Sequence, residues 1–142
     1  THFGLGTSIM CNAAGSEAIV FSLDLKPEES HLSKQYEGNI GYKCKFPFTQ
    51  LLGDSKTFDF TRYHPIDIWL CDAEHTEENV FIETKKMLDS EPMLIVWHDT
   101  DMSGVMSGII KAFDGHDNKD KYSLYRVTDT RMSYALHKNI LE

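Results

Sequence analysis

Asp72, Glu74 and His75 follow one short apolar run, Ile66 to Cys71, and His98 and Asp99 follow another, Met93 to Trp97. Carboxylate and imidazole at such places suit two kinds of chemistry. Carboxylate-rich sets favour magnesium or calcium, and an imidazole admits zinc, manganese or iron. A histidine can instead take a proton from a substrate hydroxyl, because its side chain titrates near neutral pH. Asp72, His98 and Asp99 are therefore the candidate metal ligands, with His75 and His98 the candidate bases. The plainer reading is that one of these histidines only satisfies backbone groups at a strand end, and Glu74 reads as a solvated loop acid.

A second set lies upstream. The Gly4-x-Gly6 turn in FGLGTS lets backbone approach a ligand closely, and an acid about 20 residues further on can bond ribose hydroxyls. Asp24, near the end of the apolar run Ala18 to Leu25, is in that position. The full GxGxxG of a dinucleotide site is absent, which argues against NAD. Asp54, in Gly53-Asp54-Ser55, follows Thr49 to Leu52 and is either a helix N-cap or a contact beside a nucleoside base.

These side chains need strands to carry them. A near-continuous apolar run that stops at polar residues reads as a strand buried on both faces, and ligands bind at the carboxyl ends of such strands. Ala18 to Leu25, Ile66 to Cys71 and Met93 to Trp97 are expected to be parallel strands. Thr49 to Leu52 is a shorter one, placed after Pro47 because proline limits a central strand. Trp69 and Trp97, on the second and third of the long runs, read as core. Helices are expected over Ser8 to Ala14, from Pro27 towards Tyr36, over Thr76 to Leu88 with Thr76 as cap, and over Val105 to Phe113. Tyr122 to Val127 and Met132 to Lys138 alternate with period two and read as a hairpin. The expected fold is a three-layer αβα sandwich with a mostly parallel sheet and an antiparallel hairpin at one edge. Asp72, His98 and Asp99 should converge at its carboxyl end.

Composition sets outer limits. One domain spanning 1–142 is the natural reading of this length, with 41% hydrophobic and 25% charged residues. A net charge of −8 argues against nucleic acid as a partner, since phosphate backbones call for clustered Lys and Arg. A small ligand of cationic character suits this balance better. The three cysteines form no CxxC and read as reduced, which implies a cytoplasmic compartment. No apolar run approaches the roughly 20 residues that span a bilayer, and no signal peptide is visible, so no membrane partner is expected. A homo-oligomer is compatible with these features.

At these residues the chain resembles class I S-adenosylmethionine-dependent methyltransferases. It is most similar to the small-molecule O-methyltransferase-like group, whose fourth and fifth strands end in D-x-x-H and HD. FGLGTS looks like the family's glycine loop, Asp24 like the ribose acid, and Gly53-Asp54-Ser55 like the turn near the adenine. Asp72-Ala73-Glu74-His75 and Trp97-His98-Asp99 are similar to the paired elements of the catalytic face. The resemblance implies a Rossmann-like fold and S-adenosylmethionine bound by Gly4, Gly6, Asp24, Asp54 and Asp72. It also implies a small-molecule methyl acceptor and a divalent metal such as magnesium held by acids at the two strand ends. His2-Phe3 stands where the family has an acid, and most of the family's first strand is missing from the N-terminus. Two other readings compete: a non-catalytic binding or structural domain that retains the fold, and a metal-dependent hydrolase suggested by the His-Asp pair. The helical hydrolases place that pair on helices, whereas here it follows a strand.

Overall fold

Apolar runs and amphipathic stretches alternate along the chain and become a mixed α/β structure. Its elements are α1 (Leu5–Ala14), β1 (Phe21–Asp24), β2 (Thr49–Leu52), β3 (Ile68–Cys71), α2 (Glu77–Asp89), β4 (Leu94–Trp97), α3 (Ser103–Asp114), β5 (Tyr122–Arg126) and β6 (Ser133–His137). The structure is a computed structural model that describes residues 4–29 and 41–140. Two units divide the chain, Thr1–Phe58 and Asp59–Glu142.

The second unit is organised around β4. Leu94-Ile95-Val96-Trp97 is rich in β-branched and aromatic side chains, which fit a pleated surface. β4 pairs in parallel with β3 and antiparallel with β6, and β5 closes the order β3-β4-β6-β5. Ile95 and Trp97 share one face of the strand, and both are fully buried with Ala135, which is opposite Ile95 on β6. The Trp97 indole N–H donates to the Thr84 hydroxyl at 3.0 Å, so a large apolar side chain is buried without leaving a polar atom unpaired. Truncating Trp97 to alanine would cost about 3–5 kcal/mol. Trp69, the other tryptophan, is partly buried against the same core and donates to the Ser90 hydroxyl at 2.9 Å.

α2 begins where the sequence says it should. The Thr76 hydroxyl accepts from the Asn79 backbone N–H, and Glu77 and Glu78 place negative charge on the first turn. Val80, Thr84, Met87 and Leu88 form one buried stripe. α3 answers with Val105, Ile109 and Ala112. The two helices touch through backbone: a Cβ on Gly104 would lie 2.6 Å from the His75 carbonyl oxygen, and one on Gly108 would lie 2.7 Å from the Glu77 carbonyl oxygen. Only glycine permits that approach. Among the described residues, no helix is long and apolar enough to cross a membrane.

In the first unit, β1 and β2 form a separate two-stranded parallel sheet, with Asp24 opposite Leu52. α1 starts at Leu5, earlier than the Ser8 expected from sequence, because Gly4 takes a left-handed conformation (φ 88°) and its carbonyl accepts from the Ser8 N–H at 2.9 Å. Gly6 is therefore inside the first helical turn and not in an open loop.

Three other expectations change. The larger sheet has one parallel pair and two antiparallel pairs, so it is mixed and not mostly parallel. The reason is that β6 occupies the second edge of β4, leaving no place there for a further parallel strand. Ala18 to Leu25 yields only Phe21–Asp24, and Ile19 is 80% exposed, so an apolar run did not guarantee burial on both faces. The helix expected from Pro27 falls mostly on residues 30–40, outside the described residues, and residues 27–29 form a turn.

Candidate active site

Parallel pairing decides what leaves the sheet together. Cys71 is opposite Trp97, and the His98 N–H extends the ladder by donating to the Cys71 carbonyl at 3.0 Å. Asp72 and His98 therefore emerge side by side at the carboxyl ends of β3 and β4. Asp99 then turns the chain in a left-handed conformation (φ 56°), one that aspartate tolerates better than most residues. Its carbonyl accepts from the Met102 N–H at 2.9 Å, leading into α3. On the other side, the Asn79 side chain donates to Glu74, and Gly104 packs against the His75 peptide, so the loop from Asp72 to Thr76 is fixed at both ends.

Four predicted side chains meet here. His75 Nε2 lies 2.8 Å from Asp99 Oδ2, and His98 Nδ1 lies 3.1 Å from the same oxygen and 3.4 Å from Asp72 Oδ1. The inward ring nitrogens of His75 and His98 are buried, yet neither has the alignment of a hydrogen bond. These contacts are ion-pair distances between atoms that face a common point, without a proton shared along a line. Asp99 is the buried member, at 7% exposed, while Asp72 opens to solvent.

A fifth residue belongs to the group. Arg131, in the turn between β5 and β6, places Nη2 2.7 Å from Asp99 Oδ1 and Nε 3.0 Å from Asp101 Oδ1. The turn is also tied by the Thr100 N–H to the Arg131 carbonyl and by the Ser133 hydroxyl to the Thr100 hydroxyl. Burial alone would raise the Asp99 carboxyl, but contact with His98 and the charges of His98, Arg131 and His75 outweigh it and hold the carboxyl below its ordinary range. Asp99 is thus an ionised carboxylate with one oxygen towards a guanidinium and the other towards two imidazoles. Such an arrangement can hold a cation, or steady an imidazolium after it has taken a proton.

A metal fits these residues. One donor atom each from Asp72, His75 and Asp99 lies within 4.8 Å of the others, and the His75 nitrogen has no hydrogen-bond partner. Asp72 and Asp99 were expected as ligands on sequence grounds. His75, expected as a base, joins them in this group, and His98, expected as a ligand, faces the same two carboxylates with Nδ1 3.1 Å from Asp99 and 3.4 Å from Asp72.

The remaining predicted residues lie in the first unit. Gly4 is required by protein backbone, since a Cβ there would be 2.6 Å from the Gly41 carbonyl oxygen, and Gly6 has open space around it. Asp24 Oδ1 accepts from the Leu25 N–H at 2.9 Å, and the Gly53 N–H donates to the Asp24 carbonyl. Asp54 is not a helix cap: its Oδ1 accepts from the Lys56 N–H at 2.9 Å and closes a turn of the Asx type. Asp24 and Asp54 stand at the same end of the small sheet.

Sequence reasoning missed Arg131 and Asp101. A basic residue in the turn of a hairpin was visible, but its meaning depends on β6 pairing with β4. No protein-family model matches this chain, and no match was found to a curated protein or to a solved structure.

Proposed function

We propose that this chain is an S-adenosylmethionine-dependent methyltransferase that acts on a hydroxyl of a small molecule. In this reading it has a Rossmann-like methyltransferase layout, with its chemical centre at the ends of β3 and β4. The observation that carries the reading is the meeting of Asp72, His75, His98 and Asp99 where two adjacent parallel strands end. S-adenosylmethionine would supply a sulfonium-bound methyl whose carbon an acceptor oxygen attacks in line, forming the O–C bond as the C–S bond breaks and the sulfur leaves as a thioether. The protein's task is then to place the acceptor and receive its proton. His98 is suited to that task, with Nδ1 between Asp72 and Asp99 and its ring 38% exposed, so an acceptor can reach it. Asp99 steadies the charge that the ring gains. Gly4, Gly6, Asp24 and Asp54 enter as cofactor contacts through the resemblance alone.

Titration calorimetry with S-adenosylhomocysteine tests the reading. Binding in the micromolar range supports it, and Asp24→Ala should weaken that binding by about 1–3 kcal/mol, the scale of a lost charged hydrogen bond. A folded protein that binds no S-adenosylhomocysteine leaves the alternative of a non-catalytic domain with the same fold.

A further inference from the structure

The resemblance points to magnesium held by acids, but the donor atoms at the ends of β3 and β4 point elsewhere. Ligand atoms about 2.1 Å from one ion are about 3.0 Å apart at right angles and about 3.4 Å apart in a tetrahedron. His75 Nε2 and Asp99 Oδ2, 2.8 Å apart, are close to such an edge. Their contact lacks hydrogen-bond alignment, as expected when a ring lone pair aims past the neighbouring oxygen at a third atom. Asp72, the exposed member of the three, completes the set with an oxygen within 4.8 Å of the other two donors. Arg131 lies 2.7 Å from Asp99 Oδ1, so Oδ2, the oxygen that both imidazoles face, is the one turned towards the shared point. Magnesium prefers oxygen and retains its waters, whereas imidazole suits zinc, manganese and iron.

We infer that Asp72, His75 and Asp99 form a site for a first-row transition dication, with His75 as the ligand that selects it over magnesium. The inference deepens the proposed function and rests on that reading for its role in methyl transfer.

The test uses the full chain stripped with a chelator and titrated separately with zinc, manganese and magnesium by calorimetry, with cobalt added to follow its visible ligand-field bands. Zinc outranks magnesium at most mixed sites, so a bare preference decides nothing and its dependence on His75 does. His75→Gln should weaken zinc and manganese binding by about tenfold or more, leave magnesium within about threefold, and change the cobalt bands. Circular dichroism checks that each variant is folded, and Asp99→Asn serves as a second ligand variant if His75→Gln is not. No binding of any of the metals, or a zinc preference that survives His75→Gln, overturns the inference. S-adenosylhomocysteine is titrated on the same samples. Cofactor binding without a His75-dependent metal preference sinks the inference and spares the methyltransferase reading, and the reverse pattern does the opposite.

Discussion

The two ends of α2 each bring a histidine to a carboxylate, and they do so differently. At the carboxyl end, His116 is 8% exposed and both ring nitrogens are used. Its Nδ1 accepts from the Asn118 N–H at 3.1 Å, so Nε2 carries the proton and donates to Asp89 at 3.0 Å. Asn118 in turn donates to the Leu88 carbonyl and covers one of the helix's last acceptors. At the amino end, His75 and His98 approach Asp99 at similar distances with their inward nitrogens unbonded. The first histidine is a fastener whose capacity is spent within the protein. The others keep donor capacity in reserve, at the edge where two strands end. Distance to a carboxylate does not separate these roles; the partner of each nitrogen does.

The comparison is most exposed to Asp99→Asn. This change keeps a side chain that tolerates the left-handed turn and removes the charge that both imidazoles face. Turnover with S-adenosylmethionine and a hydroxyl acceptor should fall by about 100-fold or more, the lower end of what a positioned acid–base group contributes. Urea unfolding should shift by about 1–3 kcal/mol, since Asp99 is buried and asparagine keeps its shape while losing the charged contacts to Arg131 and the two imidazoles. A large loss of stability with turnover intact would make Asp99 structural and erase the contrast.

His116→Ala should give the mirror image. Losing a cap and leaving a buried amide without its acceptor costs about 1–3 kcal/mol. Metal binding and turnover should be unchanged once the variant is folded. If they collapse together with stability, the two ends of α2 are coupled and the comparison fails.

The smallest effect concerns pH. Burial, then the charge of Glu83, pushes the Cys71 thiol well above its ordinary value of 9.0. Burial does the same to Tyr122, whose ordinary value is 10.0 and whose hydroxyl donates to the Pro92 carbonyl. Both groups are neutral in the fold and lose protons more readily when unfolded. Their contribution is therefore complete below about pH 9 and declines as pH rises through 9 and 10. Unfolding curves from pH 7 to 11 should show that decline, and Tyr122→Phe should make it shallower above pH 10. An unchanged slope in Tyr122→Phe would remove the tyrosine from the account.

Periodicity and caps were legible where the signal is local. Ile66 to Cys71 became Ile68–Cys71, Met93 to Trp97 became Leu94–Trp97, and Thr76 caps α2 as read. The meeting of Asp72 with His98 and Asp99 was also foreseeable, because adjacent parallel strands deliver their ends to one edge. Failures occurred where the outcome depends on distant pairing. Ala18 to Leu25 has the composition of a buried strand, yet exposure at Ile19 shows that nothing in the run specifies what covers it. Arg131 and Asp101 are 30 residues apart, and no pattern in either segment announces their contact. The loop position of His75 is readable from the sequence, but the direction of its ring, towards Asp99, is announced by no local pattern.

Gly104 and Gly108 act as a gauge for the whole edge. The peptide of His75 rests on α3 through Gly104, and the peptide of Glu77 rests on it through Gly108, while the chain between β4 and α3 carries Asp99. The gap between the His75 ring and the Asp99 carboxylate is thus calibrated by two helix backbones in contact. A single methyl at position 104 should wedge the His75 peptide outwards, since the alanine Cβ has to gain several tenths of an ångström from a carbonyl oxygen. Gly104→Ala would then widen the gap between the His75 ring and the Asp99 carboxylate, and with it weaken the proposed metal and proton chemistry, while every side chain at the edge kept its identity. Tuning this edge is a matter of helix spacing as much as of ligand choice, and a redesign confined to the ligands would leave its calibration untouched.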